Sequence, residues 1–497
     1  MIRTTPRPAG LATIHHEWLG SGRLALTDLS VDPPERLTFD ELDELFAAVA
    51  GGLAARGVRR GDRVGVLGEN SARWVAAFFG ILRLGAVAVP LSPRQPDGTL
   101  GEIAADAGVR LVLADPANAS RAGDVPVGDL TGDDLLGPAL PPVEVAPADT
   151  AIHLSTSGST GRPKGALLSH RSQLFTLESW ASIETSRTMT RTLVAAPLFH
   201  KNGLGETKLG LWLGAEVLLQ RRFDVRAYLE AAASYRCSTL SGVPTMFARM
   251  VAERDLVEKL DLTRVRGLEI GSAPLTEALL ERVREVFPRA TIYNSYGTTE
   301  VAAVFGGHPE GRPAPRTSVG LPLPTVDVRL VGEDGLDANP GELWVRGEGV
   351  MDSYHGAPEL TRAKIVEGWC RTGDVMVRDD EGWFHFVGRV DDMFVCGGEN
   401  VYPGAVEQLL ERHPRVRQAA VVPVADDVKG DVPVAFVVAS PGARLTEEDV
   451  RSWALEHGPA YQHPRAVWVV DALPIAGTEK VDRRALADEA ARRLAGG

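Results

Sequence analysis

A chain of 497 residues is longer than one hydrophobic core usually supports, so two or more domains are expected. With 44% hydrophobic and 24% charged residues the composition is globular, and a net charge of −13 argues against a broad nucleic-acid surface while leaving room for local anion pockets. The three cysteines, Cys237, Cys370 and Cys396, offer neither a metal spacing nor a disulfide framework, which fits a reducing cytoplasm. The first ten residues lack the apolar core of a signal peptide. The longest apolar stretch, 74–91, is interrupted by Arg83 and glycines, and reads as a buried helix running into a strand instead of a membrane span.

In chain order, Thr38-Phe39-Asp40-Glu41 has the form of a capping box, and apolar residues follow at helical spacing to Leu53. Arg63 to Leu67 reads as a strand, Ser71 opens a helix, and Ala86 to Leu91 is a buried strand. Pro116 to Pro147, rich in Pro, Gly and Asp, reads as a surface connection. Strands are expected at 151–154, 192–197, 237–242, 267–271 and 290–294, with a helix at 277–287. From Gly320 to Val387 the pattern shortens to β-like runs such as Gly341 to Gly347. A compact α+β segment follows Gly388-Arg389-Val390-Asp391-Asp392. Strands alternating with helices imply an α/β fold. The large N-terminal domain of layered sheets, with its β-rich subdomain, is placed at 1–390, and a small mobile α+β domain at 391–497.

The densest chemistry lies in Ser155-Thr156-Ser157-Gly158-Ser159-Thr160-Gly161-Arg162-Pro163-Lys164-Gly165. Glycines let backbone N–H groups turn inward, hydroxyls add donors, and Lys164 adds a mobile positive charge, a set suited to nucleotide phosphates. The spacing is not that of a P-loop. Downstream, Asn294 and Tyr296-Gly297-Thr298-Thr299-Glu300 follow a strand, where open α/β sheets place ligands, and Glu300 is a hard oxygen ligand suited to Mg²⁺. Asp374 ends the run Trp369-Cys370-Arg371-Thr372-Gly373-Asp374, and a carboxylate there can accept from both ribose hydroxyls.

These ordered motifs, from Leu37-Thr38-Phe39 to Asp482-Arg483-Arg484-Ala485-Leu486, resemble the adenylate-forming superfamily of acyl-CoA synthetases, peptide-synthetase adenylation domains and luciferases. YGTTE at 296–300 and GRVDDMFVCGGENVYPGAVE at 388–407 are most similar to aryl- and medium-chain acyl-CoA ligases. The resemblance implies ATP, Mg²⁺ and coenzyme A as cofactors. It puts Thr156, Ser157, Gly158, Ser159, Thr160 and Lys164 at the phosphates, and Tyr296 against the adenine. Asn294 and Gly297 would lie beside the ring, with Gly271-Ser272-Ala273 on its other side. Thr299 would contact the α-phosphate, Glu300 the metal, Asp374 the ribose, and Arg389 the ribose or phosphate. Asp391 resembles the hinge of the mobile domain, and Gly397-Gly398-Glu399-Asn400 the loop that faces the pantetheine tunnel in a second pose. Lys480 resembles the lysine that bridges carboxylate and α-phosphate, and His200 a residue between acid pocket and thiol tunnel. Glu479 stands where relatives usually carry glycine.

The segment after His200 departs from the mostly apolar pattern of many acyl-CoA ligases. It carries Lys201, Asn202, Glu206 and Lys208, groups that must pair with each other, meet a polar substrate or face solvent. Lys201, Asn202 and Glu206 are therefore candidates for a substrate pocket. The expected reaction is ATP-dependent activation of a substituted aryl or cinnamyl-type acid followed by transfer to coenzyme A, in a monomer or homodimer with no nucleic-acid or membrane partner. Alternatives are loading of a carrier-protein phosphopantetheine, ATP-dependent activation of nitrite to diazotise an aryl amine, and a nucleotide-sensing binding protein.

Overall fold

The computed structural model describes residues 7–96, 98–156, 164–183, 188–306, 315, 317–426, 428–475 and 480–495. Among these residues the strands form four sheets. The first runs, edge to edge, through Thr291–Ser295, Gly267–Gly271, Thr239–Gly242, Arg191–Val194, Glu216–Leu219, Leu24–Asp28 and Glu35–Thr38. Its pairs are parallel except the last.

Successive strand residues face opposite sides, and in this sheet the two sides differ in chemistry. Leu193, Leu240, Leu268 and Ile270 turn to one face and are buried with Phe247, Leu279 and Val283 from the helices Pro244–Ala252 and Glu277–Val286. The alternate positions, Thr192, Thr239, Ser241 and Glu269, share the other face. There Thr239 stands beside Thr192, and Ser241 beside Glu269.

The second sheet orders Ser353–Tyr354, Lys164–Ser169, Thr150–Thr156, Val87–Leu91, Arg63–Leu67, Val109–Ala114 and Val127–Asp129. The main core contains Phe39, Phe46, Trp74, Phe78 and Phe79 from the helices Phe39–Ala55 and Ala72–Arg83. The first helix begins where the sequence indicates: Thr38 accepts from Glu41 N–H, and the Glu41 carboxylate accepts from Thr38 N–H. The stretch 116–147 is more than a surface connection, because it supplies the edge strand Val127–Asp129 and buries Leu130 and Leu135. A Cβ at Gly52 would lie 1.7 Å from the Leu135 carbonyl, so only glycine admits this approach.

The third sheet is antiparallel, with Asp327–Val331, Gly341–Arg346, Trp369–Arg378, Ile365–Val366 and Phe384–Arg389. The fourth comprises Glu399–Val401, Phe394–Cys396, Gly430–Ala439, Val416–Asp426 and Val467–Val469. The helices Pro403–Glu411 and Arg483–Ala495 pack on its long Val416–Asp426 strand. The protein is thus α/β, with a large N-terminal domain carrying three sheets and a small C-terminal domain around the fourth. The three cysteines are buried and unpaired. Among the described residues no helix is long and apolar enough to cross a membrane.

Candidate active site

A cavity of about 1290 Å³ opens where the strand ends of the first sheet meet the third sheet and the C-terminal domain. Thr291–Ser295 delivers Tyr296 to its wall, and Trp369–Arg378 delivers Asp374. The Tyr296 hydroxyl donates to one Asp374 oxygen at 2.6 Å, and Arg389 Nη1 donates to the other at 2.8 Å. Burial pushes the Asp374 pKa up, while Arg389 and Tyr296 oppose it. Burial and the Asp374 charge hold the Tyr296 phenol well above its ordinary value, so it remains a donor. Asn294 donates its amide to the Thr317 carbonyl at 2.8 Å. Ser272, at the end of Gly267–Gly271, has a φ of 65°, a left-handed conformation costing about 1–3 kcal/mol for a non-glycine residue. Gly271, Ser272 and Ala273 thereby turn along the cavity rim, where Ser272, Ala273, Gly297 and Thr299 line it.

Glu300 accepts from the Tyr354 hydroxyl at 2.7 Å. Burial works to raise its pKa, but Tyr354 and the charge of Lys364 outweigh it, and the carboxylate is held below its ordinary value. Lys164 Nζ lies 5.9 Å from the centre of the Tyr354 ring, so Tyr354 gathers the lysine of the glycine- and hydroxyl-rich loop and the glutamate into one place. Lys164 stands in register with Thr156 across a hairpin. Ser157, Gly158, Ser159 and Thr160 lie outside the described residues, as does Glu479.

Lys480 comes from the C-terminal domain and lines the same cavity as His200. Desolvation by the protein around it and the Arg389 charge lower its pKa, with Asp374 acting in the other direction, although the side chain keeps an exposed part. His200 caps the start of the helix Lys201–Leu213. Burial first, then the charges of Lys480 and Arg94, bring its pKa down to about 4, so the ring is neutral at pH 7. The helix sits close against the chain before it: a Cβ at Gly203 would lie 2.3 Å from the Ala196 carbonyl.

Glu206 and Lys208 are buried and Lys201 and Asn202 partly so, and the hydrogen bonds of the two lysines and the glutamate are not with one another. Lys201 Nζ donates to the carbonyls of Thr298 and Val301, on either side of Thr299 and Glu300. Burial brings its pKa down to about 8 against the pull of Glu300. Lys208 is buried and donates to Gln173 at 2.6 Å. Glu206 is 3% exposed and accepts from Thr192 Oγ1 at 2.5 Å. Asn202 and Glu206 line the cavity with Lys201.

Three contributors escape a reading of the sequence: Tyr354, Glu269 and Arg94. Tyr354 belongs to a two-residue strand, and Glu269 to a strand expected at 267–271 without its glutamate being singled out. The period-two alternation of Leu268 and Ile270 around Glu269 is the one signal that could have marked it. Asp391 stands 3.6 Å from Arg389. The 397–400 turn is not part of the cavity lining, and Asn400 donates to Glu333 at 3.2 Å.

Comparison with known proteins agrees with this geometry. A family model described as AMP-binding enzyme matches residues 20–355, and one described as AMP-binding enzyme C-terminal domain matches 405–480. A feruloyl-CoA synthase of Amycolatopsis sp is 36% identical over 459 residues, covering 90% of this chain and 92% of that protein. A 4-coumarate–CoA ligase of Oryza sativa subsp. japonica is 31% identical, covering 91% and 89%. The crystal structure of the anthranilate CoA ligase AuaEII in complex with anthranoyl-AMP superposes with a TM-score of 0.88 at 26% identity, covering 98% of this chain and 99% of that one.

Proposed function

We propose that this chain, which belongs to the AMP-binding enzyme family and is an AMP-forming acid–thiol ligase, converts a substituted aryl or cinnamyl-type acid into its coenzyme A thioester. ATP, Mg²⁺ and coenzyme A complete the reaction. A carboxylate oxygen of the acid attacks the α-phosphorus of ATP, and pyrophosphate leaves. The thiolate of coenzyme A then attacks the carbonyl carbon of the adenylate, and AMP leaves.

Asp374 holds the ribose hydroxyls, oriented by Tyr296 and Arg389, whose donors fix both carboxylate oxygens. The adenine lies between Tyr296 and the Gly271-Ser272-Ala273 turn, with Asn294 and Gly297 beside it. Thr156, Ser157, Gly158, Ser159, Thr160 and Lys164 take the phosphates, and Thr299 the α-phosphate. The ionised Glu300 carboxylate, with hydroxyls near it, is a donor set that fits Mg²⁺, and Glu300 would hold that ion. When bound, Mg²⁺ screens phosphate charge. Lys480 supplies a positioned cation where charge develops on the α-phosphate, a type of stabilisation worth far more in an enclosed site than in water. His200, uncharged, separates the acid pocket from the thiol's approach.

We place the domain boundary and hinge at Asp391. Rotation there withdraws Lys480 and brings the Gly397–Asn400 turn to the thiol's path. The enzyme acts in the cytoplasm as a monomer or homodimer. Carrier-protein loading and diazotisation are disfavoured by the acyl-CoA ligase relatives.

The observation that carries the reading is the meeting of Lys480 from one domain with His200, Asp374 and Arg389 from the other around one cavity. The test is mass spectrometry of the enzyme with ATP, Mg²⁺ and a panel of benzoic and cinnamic acids, with and without coenzyme A. Acid-dependent AMP and an acyl-CoA mass are expected. AMP release that needs nitrite and ignores coenzyme A would overturn the reading.

A further inference from the structure

The polar face of the first sheet forms a floor beneath the cavity that the adenylating chemistry leaves unexplained. Glu206 reaches this floor from the helix Lys201–Leu213, and Glu269 from the strand Gly267–Gly271, and both line the cavity. Among the described residues the Glu206 side chain has one hydrogen-bond partner, Thr192, which takes Oε1, so Oε2 is left for a ligand. The nearby Ser295 hydroxyl favours the charged form of Glu269 against its burial. Burial raises the pKa of both carboxyls, the Glu206 charge adds to this for Glu269, and among the described residues no cation is set against either group. The lysines of the same helix are engaged elsewhere, Lys201 on the carbonyls of Thr298 and Val301 and Lys208 on Gln173. The hydroxyls of Thr239 and Ser241, both 1% exposed and on the Glu269 side of the sheet, have no partner among the described residues. Two carboxyls and two hydroxyls are thus gathered beneath the cavity, with carboxyl oxygens left to meet a ligand's donors.

We propose that the acid taken by this enzyme carries a primary amino group on its aromatic ring, remote from the carboxyl, seated between Glu206 and Glu269. This inference rests on the ligase reading above and specifies its substrate. An amine offers two N–H donors, one for an oxygen of each carboxyl, whereas a phenol offers one and a methoxy group none. Leaving a buried acceptor unmet costs about as much as a lost hydrogen bond, so such a floor discriminates by donor count. The depth also fits. Glu206 is six residues along the helix from His200, about 9 Å at 1.5 Å per residue. Glu269 is two residues below Gly271, about 7 Å back along its strand. A ring joined to its carboxyl by a short unsaturated arm spans that depth.

The test is the kcat/KM for coenzyme A thioester formation from 4-aminocinnamate, 3-aminocinnamate, 4-hydroxycinnamate and 4-methoxycinnamate. In the unmodified enzyme one of the two amino acids should exceed the methoxy acid at least tenfold and also exceed the hydroxy acid. That amino-to-methoxy ratio should fall at least tenfold in Glu206→Met and in Glu269→Gln, with each variant supporting the conclusion if the other fails to fold. A methoxy or hydroxy acid preferred by the unmodified enzyme, or a ratio unchanged in the variants, would overturn the inference while thioester formation left the ligase reading standing. No thioester from any acid would defeat both.

Discussion

Tyr296 donates its phenol to the Asp374 carboxylate across 2.6 Å, joining the end of a parallel strand to an antiparallel sheet 78 residues further along the chain. With Arg389 on the other oxygen, the carboxylate is fixed before any nucleotide arrives. Hydrogen bonds to a charged group contribute about 1.5–3 kcal/mol each, so Asp374→Ala should raise the KM for ATP at least about tenfold. Initial rates of pyrophosphate release against ATP concentration check this.

Lys480 should matter to one half-reaction only. Removing one positioned donor to developing charge costs about 10²–10³ in rate. Lys480→Ala should slow adenylate formation by that factor and leave thioester formation from a supplied acyl-adenylate nearly unchanged. Equal losses in both, measured by quenched flow, would contradict its assignment.

Lys201 should act through the loop it holds. In Lys201→Met the carbonyls of Thr298 and Val301 lose their shared donor, at a cost of about 1–3 kcal/mol for each buried group left unmet. The expected result is a lower Tm and a raised KM for MgATP, because Thr299 and Glu300 lie between those carbonyls. A variant with unchanged Tm and KM would show that the loop stands without it.

Asp43 anchors the main core electrostatically. It receives Arg83 at 2.6 Å and His15 at 2.9 Å, and these bonds outweigh burial to hold its pKa well below the carboxylate range. Arg83 is 6% exposed, so Asp43→Ala strands a buried charge, which costs about 3–5 kcal/mol. Denaturant unfolding should show that loss, with the KM for ATP unaffected.

His170 gives a pH signature. Burial brings its pKa from 6.5 down to about 4, and its Nδ1 accepts from Leu11 N–H. Between those values the unfolded chain binds a proton that the native ring refuses, so this residue's contribution to stability rises with pH across the window and is absent below pH 4. Asn at this position can still accept the bond but does not titrate. The Tm advantage of the unmodified protein over His170→Asn should therefore grow from pH 4 to 6.5, and a constant difference would refute the assignment.

Local chemistry made much of the fold legible. The Thr38–Glu41 box, the Ser71 cap and the alternation of strand and helix depend on residues a few positions apart, and the sequence displays them directly. The motifs also marked Asp374, Tyr296 and Glu300 as members of one site. Their hydrogen-bond partners were harder to read, because Tyr354 is 54 residues from Glu300, and Lys201 is 97 from Thr298. The four polar groups after His200 were visible as an anomaly, but their burial was not. Amphipathic spacing cannot separate a helix with a solvated face from one whose polar side rests on a polar sheet face. Only the register of Thr192, Thr239 and Glu269 decides between these.

Glu206 and Glu269 stand on the first sheet and its helix, whereas Asp374 and Arg389 stand on the third sheet and Lys480 on the C-terminal domain. On the proposed reading the side chains that choose the acid differ from those that hold the nucleotide, although the strand Gly267–Gly271 carries both Glu269 and the turn beside the adenine. On that reading a single substitution at the floor would change which acid is admitted while Asp374, Arg389 and Lys480 stayed in place. In terms of descent, a lineage built this way can drift from one substrate to another by single steps, with a working catalyst at every one.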